Sequence, residues 1–429
     1  MTFRAIIFWL KDLFFDKSKI RKALDDVALF SDEGTENLLQ RDRLLRWVGQ
    51  EVPFYESYKD LPFEKWPVVN KNIIKTSQEM FMARCMMGKK LHTESTSGST
   101  GTPFEVSQDS GKRLRAAADS LYFSELAGFH LGTRLYYVRV WNHINHKSIF
   151  QTLMKNIVMV SSDNLSDKSL ETFLETLEKD GSEKSVLAYA SSVTALYRWM
   201  LRRGRKTTAK VSCFITMSES CPEEVKRGIS ELFNCPVYCR YSNQECGLIS
   251  QQCCEGAYHI NTGSFYVEIL DLEKDEPARE GVLGRIVVTD LYNKAMPMIR
   301  YDTGDLGILS HVCKCGRQGK VLKSVEGRRV DFITATNGDL LSPVTIINTM
   351  WEYQDLIQWQ FIQYGKSLFE LKLNSTTIPY VREKEILDDI KGIVGCSAQI
   401  NITYVDEIPL LASGKRKSVL NNMYNSQMK

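Results

Sequence analysis

The sequence predicts an α/β protein in two parts: a large layered N-terminal domain, combining an α/β core with an antiparallel β-subdomain, and a small α+β C-terminal lid. Three observations predict it. Strand-like and helix-like segments alternate between residues 113 and 241, as in a layered α/β core. After Ser264, FYVEILDL, a turn around Glu280–Gly284 and RIVVTDLYN read as antiparallel strands. From Ile333 onward the chain reads strand–helix–strand–strand–helix–strand, so the boundary is placed at Asp331, giving domains 1–331 and 332–429.

Residues 1–90 are mainly helical, with apolar periodicity through LLQRDRLLRWVGQ. In the opening MTFRAIIFWLKDLFF, Lys11 and Asp12 break what a signal peptide needs as an unbroken apolar core of ~7–15 residues. It reads as an amphipathic helix packed on the body, with a membrane-surface helix as the alternative. Helices follow at 113–128, 169–179 and 193–203, interleaved with strands at 134–140, 185–190 and 211–216. SESCP caps a helix over 222–233, which leads into a strand at 236–241. In the lid, 344–353 and 383–393 are helices, and WQFIQYG, LFELKLN and INITYVDEI are strands.

The 429 residues are 43% hydrophobic and 25% charged, an ordinary globular mixture. A net charge of +3 is too balanced to argue for nucleic acid or an anionic membrane as partner. No stretch approaches the ~20 apolar residues of a membrane span. Eleven cysteines without a secretory signal suggest reduced thiols, and the chain is expected to be cytoplasmic.

Four segments carry chemistry. In TESTSGSTGTPF, Ser95 to Thr102 are all Ser, Thr or Gly; such a loop can turn N–H groups and hydroxyls onto a polyphosphate, although a flexible surface loop is equally compatible. In MPMIRYDTGDL, Asp302 and Asp305 flank a Thr-Gly turn just after a strand. A carboxylate there can accept from the vicinal hydroxyls of ribose, or the segment is simply an acidic β-turn. In YSNQECG, Glu245 lies at the carboxyl edge of the sheet, where it can hold Mg²⁺ or cap a helix. In LASGKRK, Lys415 on a Gly-supported turn can reach a phosphoryl oxygen, or belongs to a solvated basic tail. Apart from these, Cys254, His259, Cys313 and Cys315 offer the Cys3His set that zinc prefers, with Cys253 a possible substitute for Cys254 and unliganded core thiols the alternative.

Together and in this order, STSGSTGTPF, YSNQECG, AMPMIRYDTGDLG, EGRRVD at 326–331 and ASGKRK resemble the acyl-adenylate-forming superfamily, in its phenylacetate–coenzyme A ligase-like, CapK-like capsule-biosynthesis branch. The resemblance runs over roughly residues 50 to 420. It implies that Ser97, Gly98, Ser99, Thr100 and Gly101 hold the β- and γ-phosphates of ATP, and that Glu245 holds Mg²⁺. Asp305 would take the ribose hydroxyls with Arg328 nearby, Tyr241 would join the nucleotide site, and Ser218 and Glu219 would lie beside the adenine. Lys415 would reach the carboxylate and α-phosphate. Relatives with the same C-x-C-G-R and Cys…His elements also imply a structural zinc. Two positions depart from the pattern: Thr102 stands where many relatives carry Lys, and Asn243-Gln244 where they carry Thr or Ser.

The implied activity is ATP-dependent activation of a small carboxylic acid as an acyl-adenylate, with coenzyme A as the favoured acceptor. Transfer to an acyl carrier protein or to an amine in surface-polysaccharide synthesis is the rival enzymatic reading. A non-catalytic nucleotide-binding scaffold is the rival from another class. Tyr136, Tyr137, Trp141, Tyr189 and Tyr241 either line an aryl pocket or belong to core strands.

Overall fold

The computed structural model describes residues 2–14, 18–30, 34–96, 104–141, 146–409 and 416–423. Strands β1 (His92–Thr96) and β2 (Phe104–Gln108) form an antiparallel hairpin that pairs Thr96 with Phe104. Five strands then run parallel: β3 (Arg134–Arg139), β4 (Ile157–Ser161), β5 (Lys184–Tyr189), β6 (Phe214–Met217) and β7 (Val237–Asn243). The antiparallel half follows with β8 (Gly247–Gln252), β9 (Tyr258–Ile260), β10 (Phe265–Leu270), β11 (Leu283–Asp290), β12 (Tyr301–Ser310) and β13 (Val321–Arg328). The two halves form one sheet, ordered β10-β11-β12-β13-β9-β8-β7-β6-β5-β3-β4 among the described residues. β14 (Ile333–Thr334) and β15 (Leu340–Leu341) make a short ladder. β16 (Gln358–Gln363), β17 (Leu368–Asn374), β18 (Gln399–Tyr404) and β19 (Val419–Asn421) form a separate sheet ordered β18-β17-β16-β19.

The parallel strands read as near-continuous apolar runs because helices cover both faces. Phe214 and Val186 pack on one face under Leu174, Val193 and Ile229, while Ile215 and Cys213 pack with Ala127 on the other. The antiparallel half shares a second core with the N-terminal helices, through Val48, Tyr55, Phe81, Ile286 and Tyr301. A third core draws its members from residues 333–419, including Phe361, Leu371, Ile386 and Ile390. Trp351 leaves that third group: its ring stacks on Tyr197 at 6.1 Å between centroids, with the Arg198 guanidinium 4.7 Å from the ring.

Several expectations need correction. SESCP ends on the N-cap of the helix Glu223–Phe233, but that residue is Pro222 and no side chain caps the helix; Glu223 and Glu224 fill its first turn. The lid helix expected at 344–353 ends as an α-helix at Thr349 and finishes as a 3-10 turn over Met350–Glu352. The Thr-Gly turn after Asp302 is no turn between strands. Tyr301–Ser310 is one strand with a bulge, in which Val287 pairs with Asp302 but Arg285 pairs with Leu306, and Gly304 takes φ +79°. The first helix, Phe3–Phe14, is not packed by its apolar stripe: Ala5 and Asp12 are buried while Phe3, Leu13 and Phe14 stay exposed. Among the described residues, no helix is long and apolar enough to cross a membrane.

Candidate active site

The bulge in β12 separates two aspartates that look equivalent in sequence. Asp302 is committed to structure, pairing with Arg285 at 2.9 Å and accepting the Gly304 N–H at 2.9 Å. Asp305, past the bulge, faces the other way and lies opposite Arg328 on β13. The buried Tyr241 hydroxyl donates to its Oδ2 at 2.8 Å, and the same hydroxyl sits 3.2 Å from Thr303 Oγ1. Burial pushes the Asp305 carboxyl up to about 6, against the pull of Tyr241 and Arg328, and the negative charges of Glu245 and Asp331 add to the rise.

Glu245 belongs to the same neighbourhood. It lies in the tight connection from β7 to β8, where Asn243 Oδ1 accepts the Cys246 N–H at 2.7 Å and Gly247 takes φ +98°, a conformation that disfavours any side chain. That connection stands at the carboxyl end of the parallel strands, where open α/β sheets bind ligands. Glu245 is buried, and the Tyr301 hydroxyl donates to its Oε1 at 3.1 Å.

One cation in this group escaped sequence reasoning. Lys71 opens the helix Lys71–Thr76, capped by Asn70, whose side chain accepts the N–H groups of Asn72 and Ile73. Val69 just ahead forms a parallel bridge to Tyr301, and its carbonyl accepts the Asp302 N–H at 2.8 Å. This bridge delivers Lys71 to the carboxylates. Its ammonium lies 5.3 Å from the Phe104 ring; burial lowers its pKa, Glu245 opposes that, and Arg328 and Lys75 reinforce it. No motif marks Lys71; the only signal is the run of Pro67 to Asn70 before it, which reads as strand then cap.

Ser97, Gly98, Ser99, Thr100, Gly101 and Lys415 lie outside the described residues. Their flanks are described. The loop leaves from Thr96 and returns at Phe104, paired in the hairpin and next to Lys71, while Gln108 Nε2 reaches the Glu245 carbonyl at 3.5 Å. Beyond Lys415, Arg416 Nε donates to the Ile408 carbonyl at 2.8 Å and Lys417 Nζ meets Asp331 Oδ1 at 2.5 Å. Asp331 is one of the charges felt by Asp305.

Ser218, at the end of β6, adopts φ +72°, and Glu219 Oε2 accepts the Ser191 N–H at 2.9 Å, at the start of helix Ala190–Arg202. Beside them Tyr137, Trp141 and Tyr189 surround Arg139. Its Nη1 donates to the Tyr137 hydroxyl at 3.1 Å, its guanidinium lies 5.6 Å from the Trp141 ring, and it bonds the Tyr189 hydroxyl. Tyr136 points into the core, its hydroxyl donating to Asp180 at 2.8 Å.

The thiol group is real but its membership changes. Cys253, His259, Cys313 and Cys315 place their ligand atoms within 4.8 Å of one another. Cys254 is exposed and outside the group, a correction that follows from the turn at 253–256: Cys253 continues the β8 edge, its N–H bonded to the Ala257 carbonyl, and Cys254 points outward. Cys253 Sγ lies 3.5 Å from Cys313 Sγ, and His259 Nε2 lies 3.2 Å from Cys315 Sγ. Burial, aided by Arg317, lowers the His259 pKa to about 4, which favours the neutral imidazole.

Residues 333–422 match the CapK C-terminal domain family. The chain is 22% identical over 367 residues to Protein CapK of Staphylococcus aureus, covering 83% of this chain and 80% of that one. It is 27% identical over 200 residues to a phenylacetate-coenzyme A ligase of Thermus thermophilus, covering 40% of this chain and 44% of the other. 2-Hydroxyisobutyryl-CoA ligase, in its postadenylation state with 2-HIB-AMP, superposes with a TM-score of 0.70 at 16% identity, over 91% of each chain. An open conformation of that enzyme gives 0.57 over 89% of this chain and 90% of that one. The chain therefore shares the fold of 2-hydroxyisobutyryl-CoA ligase. In sequence it is similar to Protein CapK and to the phenylacetate-coenzyme A ligases.

Proposed function

We propose that the protein condenses a small carboxylic acid with ATP to an acyl-adenylate, releasing pyrophosphate, and then transfers the acyl group to coenzyme A. The observation that carries this reading is the meeting of Asp305, Tyr241, Glu245, Arg328 and Lys71 at the carboxyl end of the parallel strands, beside the flanks of both the Ser/Gly loop and the Lys415 turn.

Carboxylate attack on the α-phosphate brings two anions together and builds charge at phosphorus, so fixed cations and N–H donors must offset it. Residues 97–101 are the proposed partners of the β- and γ-phosphates. Thr102 lacks the positive charge that relatives place there, and Lys71 supplies one from the neighbouring helix. Asp305, ionised above pH 6, accepts from the ribose hydroxyls while Tyr241 orients it. Glu245, buried and held by Tyr301, suits one face of a Mg²⁺ ion, which neutralises phosphate charge when bound. Lys415 brings its ammonium to the reacting oxygens.

The division at residue 331 fits this scheme as a hinge. The third core and the CapK C-terminal match both begin at residue 333, and Lys417 ties the tail to Asp331. The higher TM-score against the postadenylation structure than against the open one supports a lid lying over the adenylation site. Swinging about 331 would withdraw Lys415 and admit the acceptor. The Arg139 group, a cation held by two phenols and an indole, is the proposed seat of the polar end of the acid. Cys253, His259, Cys313 and Cys315 fit a tetrahedral zinc with a structural role: three thiols and a neutral imidazole are the donors it prefers.

Acid-dependent exchange of labelled pyrophosphate into ATP, screened over aryl, fatty, amino and sugar acids, tests the first half-reaction. Exchange with one acid class is expected, and its absence with every class would contradict the reading. Product mass spectrometry with coenzyme A, carrier protein and amines offered in parallel then identifies the acceptor.

A further inference from the structure

The first helix carries six of its apolar residues on the outside. On Phe3–Phe14, Phe3, Ile6, Ile7, Leu10, Leu13 and Phe14 recur at helical spacing along one stripe, with Phe3 75% and Phe14 72% exposed. The inward face holds Ala5 and Asp12, flanked by the half-buried Phe8 and Trp9, and the Asp12 carboxylate accepts the backbone N–H groups of Ile20 at 2.9 Å and Arg21 at 3.0 Å. That bonding anchors the helix and takes its one negative charge out of solvent.

A second helix repeats the feature. On Ile149–Lys155, Ile149 is 88% exposed, Phe150 71% and Leu153 63%. Both helices adjoin the turn at 131–132: Thr2 Oγ1 donates to the Leu131 carbonyl at 3.1 Å, and Asn156, the C-cap of the second helix, donates to the Gly132 carbonyl at 3.2 Å. Contiguous apolar surface of this kind on a water-soluble chain marks a contact site. Charge says what it contacts. Residues 2–14 and 146–156 contain Arg4, Lys11, Lys147 and Lys155, and their one carboxylate is the buried Asp12. Apolar stripes flanked by cations, with no exposed acid, complement anionic headgroups over acyl chains. A second copy of the same face would set cation against cation.

We propose that these two helices seat the protein on an anionic lipid surface, lying in the interface rather than crossing it. This assignment is independent of the ligase reading. Co-flotation of the full chain with phosphatidylglycerol-containing vesicles, against pure phosphatidylcholine vesicles, tests it. The wild type is expected to float with the anionic vesicles. Leu10→Asp/Leu13→Asp, on the exposed stripe, should keep the wild-type melting temperature and lose about tenfold or more of the bound fraction. Arg4→Gln/Lys11→Gln should weaken binding and flatten its dependence on salt. Failure of the wild type to float, or flotation unchanged in Leu10→Asp/Leu13→Asp, overturns the proposal. So does a lipid-free dimer, seen by sedimentation, that the same double substitution dissociates, because the stripe would then belong to a second copy.

Discussion

The carboxylate cluster around Asp305 and the thiol cluster around Cys315 occupy the same run of antiparallel strands, yet they are held in opposite ways. Asp305 sits in a ready-made frame: Tyr241 donates to it, Thr303 fixes the bulge, and Asp302 is drawn aside by Arg285. The four ligand atoms of the thiol group have chiefly one another, across Cys253–Cys313 and His259–Cys315. A site for a ligand that comes and goes must keep its shape when empty, so its polar groups are satisfied by the protein itself. A site for a resident ion leaves that work to the ion. Perturbing the first should therefore change chemistry with little change in stability, and perturbing the second should do the reverse.

The largest effect expected is on the chemical side. Lys415→Ala should cut pyrophosphate exchange by roughly 10²-fold, the loss of a transition-state contact of ~3 kcal/mol, with an unaltered melting temperature. Unchanged exchange would remove Lys415 from the mechanism. Lys71→Met, which takes away the cation beside Phe104, should lower exchange by about tenfold, mainly through weaker ATP binding. Wild-type ATP affinity in that variant would show that Lys71 serves packing alone. On the structural side, a strong chelator or Cys315→Ser should lower the melting temperature by roughly 5 °C or more while exchange at low temperature stays within about threefold. Released zinc measured against protein would confirm the ion, and a chelator without effect on melting would oppose it.

The smallest effect sharpens the comparison by its sign. Folding raises the Asp305 carboxyl from 3.8 to about 6, so the folded state holds a proton that the unfolded chain has already lost. Its contribution to stability is full below the unfolded value and is lost as pH rises through about 6. Nucleotide binding needs the ionised form and should strengthen over the same interval. Melting curves and ATP titrations on either side of pH 6 should move in opposite directions, and Asp305→Asn should abolish both trends.

The layered core was legible because β3, β5, β6 and the helices between them carry apolar periods that local sequence displays. Much of the lid was legible too, except for β15, two residues paired with β14, and β19, three residues that pairing with β16 creates. What escaped depends on distant partners. β4 and the short helix before it were not anticipated, and the αL residue Asn156 divides them. Thr303-Gly304 reads as a turn until β11 and β13 flank it on both sides and convert it to a bulge. Lys71 is a lone lysine until Val69 pairs with Tyr301. Cys253 and Cys254 are neighbours in sequence, and only the direction of the β8 edge separates ligand from bystander. In the first helix the apolar period was clear, but periodicity does not say which side faces the body.

Titration calorimetry of Mg²⁺-ATP into wild type and Asp305→Asn, well above pH 6, addresses the central claim most directly. If the β12 bulge aims this carboxylate at a bound ribose, the substitution should weaken binding by about tenfold or more and leave the melting temperature of the free protein nearly unchanged. Equal affinity in the two proteins would mean that the carboxylate faces no nucleotide.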